Sequence, residues 1–256
     1  MGSGLEVSWQ HALSSPEQSA SPEGTGSPAS VWSSYLKRLA EEHRCSKHPL
    51  FAFLDSQHLT ASQTTSFLRN YDAHASVLRR LLLKAATLMP EEAVGFVVEN
   101  VRNEYGNGNA DDRHQLQLID LARKAGATAT SFRRAKITSG IRAFIQQATQ
   151  LYYPVGKRWP ERLFRPAIAA GAITATELLA IREFQFIQRA FARLGLESHI
   201  WLNHVIIEAE HTDESLSLAL YFIERHGALA AVEFGMMRLL EANMDLYAGL
   251  LSALVS

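Results

Sequence analysis

A chain of 256 residues, 47 % hydrophobic and 20 % charged, has ordinary globular composition and enough length for one substantial core. Its formal net charge of -1 supplies no concentrated basic face, which argues against nucleic acid or an anionic membrane as partner. The single cysteine, Cys45, excludes an internal disulfide and a thiolate cluster, so any metal here must be held by nitrogen and oxygen.

Residues 1–28 are dominated by Ser, Gly, Pro and Glu and are expected to be disordered; residues 29–256 are read as one domain. No window reaches the length of a membrane span, and the N-terminus lacks the order of a signal peptide, so a soluble, cytoplasmic protein is expected. From Ala29 onward the apolar spacing is helical. Trp32, Tyr35, Leu36 and Leu39 begin a first helix that ends before His48-Pro49, because the residue before a proline avoids the α region. Thr60 with Gln63 forms a capping-box start, and the helix it opens runs through Phe67, Tyr71, His74, Leu78 and Leu82 toward Met89. Pro90 suits the first turn of the next helix, which carries Phe96, Val97, Val101 and Glu104 and breaks at Gly106-Asn107-Gly108-Asn109.

Asp111 or Asp112 is the expected cap of a restart through His114, Leu118 and Leu121 that stops at Gly126. A helix over 131–152 follows, then a loop with Pro154, Gly156 and Pro160. Pro166 opens a long helix through Glu177 to about Leu194; another carries Trp201 to Ala219, and the last spans about 229–251. Seven or so helices of this length predict an all-α bundle.

The sharpest motif is His204-Val-Ile-Ile-Glu208-Ala-Glu-His211. At about 100° per residue, offsets of four and seven place the three side chains within about 60° of one another on one helix face. Two imidazoles and a carboxylate on one stripe form a chelating edge for a borderline divalent metal. A polar helix surface could produce the same spacing by chance. However, Ile200, Trp201, Val205, Ile207 and Leu218 make this helix apolar, and an inward polar stripe would need partners to offset its desolvation. Ferritin-like bundles use two Glu-x-x-His elements on facing helices; Glu208-x-x-His211 has no such counterpart.

Three further segments complete a pattern: Glu104-Tyr-Gly-Asn-Gly-Asn-Ala-Asp-Asp-Arg-His114, Gly171-Ala-Ile-Thr-Ala-Thr-Glu177, and Trp201-Leu-Asn-His204. With His48-Pro49-Leu50, Leu59-Thr60 and Arg69-Asn70-Tyr71-Asp72-Ala73-His74 upstream, the sequence resembles the heme-oxygenase-like di-iron oxidases and oxygenases over roughly residues 45–220. The resemblance implies a seven-helix heme-oxygenase-like bundle and a six-ligand cage of Glu104, His114, Glu177, His204, Glu208 and His211 holding two iron(II) ions, with O2 as co-substrate. It implies a small-molecule substrate of amino-acid type and N-oxygenation, oxidative C–C cleavage or desaturation, as in natural-product biosynthesis. An external electron donor and a homodimer are both compatible with it.

Two features depart from the pattern. Glu208 stands where Asp is commoner, and the stretch from Glu177 to His204 is shorter than usual, which keeps Glu183 as the reserve for the middle carboxylate. Six residues apart, Glu177 and Glu183 should point about 120° from each other, so one alone should face the metals. The small residues before Glu177 favour it, whereas Glu183 beside Arg182 invites a salt bridge. Tyr71 and His74 are candidates to orient substrate or a ligand, or to be satisfied core polar residues. Arg133, Arg134 and Lys136 are candidates to receive a substrate carboxylate, or a solvated face. The alternative from another class is a metal-free member of the same bundle, a thiaminase-like hydrolase or a cofactor-maturation oxidase.

Overall fold

The structure, a computed structural model, describes residues 28–155 and 164–255, apart from the side chains of residue 28 and residues 203–211. The expected N-terminal disorder and part of the Pro154–Pro160 loop lie outside these residues. The described chain contains ten α-helices: α1 (Pro28–Glu42), α2 (Pro49–Ser56), α3 (Ala61–Ala86), α4 (Glu91–Glu104), α5 (His114–Lys124), α6 (Ala129–Arg134), α7 (Ser139–Tyr152), α8 (Arg165–Ala192), α9 (His204–His226) and α10 (Leu229–Val255). Among the described residues there is no strand, and no helix is long and apolar enough to cross a membrane.

The count exceeds seven because short helices separate from long ones. Pro49 starts α2, with His48 as its cap; the His48 Nδ1 accepts from the Leu50 backbone N–H at 3.1 Å. The single helix expected over 131–152 divides in two. Thr128 and Ser131 close a capping box on α6, and the chain turns extended at Ala135 before α7 begins at Ser139. Thr60 and Gln63 make the capping box anticipated for α3.

Helix α8 is the central element, with α10, α9, α7 and α2 against it; α3 packs on α7, α10, α4 and α5, and α4 also meets α9. Two glycines set the closest crossing. A Cβ on Gly171 of α8 would meet the Val232 carbonyl oxygen at 2.0 Å, and one on Gly235 of α10 would meet the Ile168 oxygen at 2.0 Å. Backbones touch there with no side chain between them, so larger residues would force the helices apart. Alanines 167 and 175 extend the same thin face, and alanines 169, 170 and 172 elsewhere on α8 are likewise fully buried.

Candidate metal centre

A cavity of about 100 Å³ lies inside this ring of helices, lined from α3, α4, α5, α7, α8, α10 and the turn before α9. Helix α4 delivers Glu104 at its last residue. The break that follows is a left-handed run: Gly106 has φ +83, Asn107 +52 and Gly108 +93. A Cβ at Gly106 would lie 2.2 Å from the Asn109 carbonyl oxygen, so glycine is required by space as well as by φ. Asn109 then caps a 3-10 turn, Ala110–Asp112, by accepting from the Asp111 backbone N–H. The expected cap at Asp111 or Asp112 does not form; Arg113 stands at the N-cap of α5 without a side-chain bond, because that 3-10 turn already occupies both aspartates.

This route brings His114, the first residue of α5, back against Glu104, with its Nδ1 3.1 Å from Oε1. The other carboxylate oxygen of Glu104 lies 3.7 Å from Nη1 of Arg79 on α3. Glu177, buried on α8, lines the same cavity, and its Oε1 accepts from the Asn100 Nδ2 at 2.8 Å. Asn100 sits one helical turn before Glu104, so α4 holds both carboxylates at neighbouring positions.

Both Glu177 and Glu183 line the cavity. The cavity runs along more than one turn of α8, and a three-bond side chain spans the difference in direction. Among the described residues Glu183 makes no salt bridge: Arg182 instead lies over the rings of Phe51 and Phe186. Burial pushes the Glu183 carboxyl up, while the Tyr71 and Tyr247 hydroxyls facing it pull it down. The Tyr247 hydroxyl faces Glu183 without full hydrogen-bond geometry.

Tyr71 and His74 both line the cavity. Their rings lie 4.5 Å apart, and Tyr71 continues edge-on to Trp201 at 5.2 Å, forming an aromatic wall with Phe184. Burial holds the His74 pKa down to about 3; the Asn70 carbonyl raises it and the Arg79 charge lowers it further. A neutral ring therefore stands there. Arg133, Arg134 and Lys136 are exposed and do not line the cavity, because the chain spends them on α6 and the turn after it.

The side chains of His204, Glu208 and His211 lie outside the described residues, although the backbone places all three in the first two turns of α9. The next residue, Thr212, donates its hydroxyl to the Glu177 carbonyl oxygen at 3.2 Å, and Thr174 donates to the Ser215 carbonyl at 2.9 Å. The start of α9 is thus bonded to α8 beside Glu177. Among the described residues no three His, Cys, Asp or Glu side chains converge closely enough to hold an ion. Glu104, His114 and Glu177 all line the one cavity, and their oxygen and nitrogen atoms are of the donor types that iron(II) accepts. Cys45 is buried with its thiol pushed up to about 12 and is no candidate.

A family model described as iron-containing redox enzyme matches residues 65–244. The chain belongs to that family. No curated protein matches it significantly. Among solved structures, it is similar to a CADD-like protein of unknown function from Nostoc punctiforme, at 14 % identity and TM-score 0.70, covering 90 % of this chain and 100 % of that one. A TenA family transcription regulator from Silicibacter sp. TM1040 gives 10 % identity and TM-score 0.63, with 87 % and 96 % covered. A TenA homolog from Pseudomonas syringae pv. tomato gives 14 % identity and TM-score 0.63, with 90 % and 93 % covered. These likenesses establish the heme-oxygenase-like fold for this iron-containing redox enzyme family member.

Sequence reasoning missed Arg79 and Asn100. Asn100 had one signal, its position four residues before Glu104. Arg79 had none, since charged residues on a long amphipathic helix read as solvated.

Proposed function

We propose that this protein is an O2-dependent non-heme di-iron oxidase or oxygenase acting on a small amino-acid-like substrate. One observation carries the reading: in a chain of an iron-containing redox enzyme family, Glu104 and His114 are paired in a cavity that Glu177 also lines. Glu104, His114 and Glu177 would supply half of the six donors, and the α9 stripe of His204, Glu208 and His211 the rest. Bound iron would supply the electrons with which O2 is activated for attack on substrate.

The chain's own residues prepare that chemistry. Asn100 orients the Glu177 carboxylate and occupies one of its lone pairs. The wall of Tyr71, Phe184 and Trp201 excludes water from the reacting space, and the small cavity favours a compact substrate over a long acyl chain. His74, neutral by burial, presents a ring that takes up no proton in the working pH range.

Anaerobic iron(II) titration followed by colorimetric iron assay tests the proposal. About two irons per chain are expected, with His204→Ala and His211→Ala each losing iron and O2 consumption while circular dichroism stays helical. A saturating value of one or none sinks the di-iron reading and favours the metal-free alternative.

A further inference from the structure

We infer that Arg79 receives a carboxylate of the substrate, and that it does so once Glu104 has been drawn away to a cation. The inference rests on the reading of the cavity as a metal-dependent active site and adds to it a ligand class and an order of binding.

Arg79 is 8 % exposed and, among the described residues lining the cavity, is the only lysine or arginine. A guanidinium offers five N–H donors in a planar fork that matches a carboxylate with two parallel bonds. Here that capacity is little used. Its Nη2 donates to the Ser76 Oγ at 3.1 Å, and its Nη1 lies 3.7 Å from Glu104 Oε2, close enough for ion pairing but too far for a hydrogen bond. Glu104 is also the group that His114 faces from the other side, at 3.1 Å. One carboxylate therefore serves two partners, and a cation bound between Glu104 and His114 would take its charge away from Arg79. A buried cation without a counter-charge is costly, and the other described carboxylates facing the cavity, Glu177 and Glu183, do not replace it. Glu177 is read as a donor to the same cation and is held in place by Asn100, and burial favours the neutral form of Glu183. Among the described residues no further carboxylate is left to neutralise Arg79, and an anionic ligand would do so.

The ligand's size follows from the space. An apolar cavity of about 150 Å³ accommodates a benzene-sized molecule; this one is about 100 Å³, which suits a carboxylic acid of a few carbons. Leu78 and Leu82, on the same helix as Arg79, supply apolar contact for its chain.

The test uses propanoate and propanamide, equal in size and different in charge, with binding measured by ligand-observed NMR at neutral pH. In metal-free protein, Glu104→Gln removes the competing carboxylate without any metal. This variant should prefer the acid over the amide by about tenfold, a preference that wild type lacks and that Glu104→Gln/Arg79→Gln loses. Arg79→Lys in the Glu104→Gln background keeps the charge without the fork and should retain only part of the preference; it also serves if the Gln double variant fails to fold. Manganese(II)-loaded wild type should gain the same preference, and manganese(II)-loaded Arg79→Gln should not. Equal binding of acid and amide by metal-free Glu104→Gln would overturn the inference and leave Arg79 as a counter-ion to Glu104. A gain in Glu104→Gln with no manganese uptake by wild type would uphold the role of Arg79 and overturn the metal reading instead.

Discussion

Burial raises the Glu183 carboxyl above its ordinary value, and the opposing pull of the Tyr71 and Tyr247 hydroxyls does not cancel that rise. The unfolded chain releases this proton in the usual carboxylate range, while the folded chain holds it to higher pH. Between the two values the folded state binds more protons, so this group makes stability fall as pH rises. Glu183→Gln removes the titration and keeps the shape. Metal-free Glu183→Gln should therefore lose less stability than wild type in urea unfolding between about pH 5 and pH 8. Parallel curves would mean that Glu183 is ionised in the fold. Residues of the site were legible where chemistry and local spacing coincide, as in Glu104 and His114, which sit either side of one glycine-rich break. Glu183 was readable only as a reserve ligand and Arg79 not at all, because their surroundings come from tyrosines and carboxylates on other helices, and a lone charge in a helical sequence reads as solvated.

Among the elements, the connection from α4 to α5 governs the site, because it must return the chain so that the first residue of α5 meets the last of α4. Three consecutive positive φ values accomplish this, one of them at the non-glycine Asn107. Gly106→Ala adds a Cβ with no space and an unfavourable φ, and should cost about 2 kcal/mol or more in stability. Its second effect should be diagnostic: iron affinity should fall more than for Gly108→Ala, where an added Cβ meets nothing within 4 Å. Equal losses of iron in the two variants would show that backbone strain alone, and not displacement of His114, is responsible. The break was readable from the Gly-Asn-Gly-Asn run. The identity of its caps was not, because Asp111 and Asp112 both have the chemistry of a helix cap, and only the intervening 3-10 turn, capped by Asn109, takes them out of that role.

For the whole molecule, the helical periodicity made the all-α class readable, since every long element has an apolar stripe. Which helices meet is a property of three dimensions: nothing in the spacing between Asn100 and Glu177 announces their bond. The same holds for His199, buried before α9, whose Nε2 lies 3.1 Å from the Asp120 Oδ2 on α5 while its Nδ1 accepts from the Trp201 backbone N–H. This single ring ties the helix of His114 to the approach to His204. Removing it should loosen both halves of the donor set together, so His199→Ala should release iron to a chelator faster than wild type, with Asp120→Asn intermediate. Unchanged release rates in both would confine His199 to a local turn.

The crossing of Gly171 and Gly235 has a mechanical consequence. Where two backbones touch, no rotamer change can absorb sliding, so the contact acts as a bearing that fixes α8 along its axis. Glu177 lies six residues beyond it, about 9 Å along the helix, too near to swing far. Helix α4 meets α8 through the Asn100–Glu177 hydrogen bond and is joined to α5 by the left-handed loop. The crossing thus sets the height of the Glu177 carboxylate along α8, and the Asn100 bond places α4, with Glu104 at its end, relative to that carboxylate. A ligand lying between Glu104, His114 and Glu177 would take its position from the glycine crossing, a feature that itself touches no ligand.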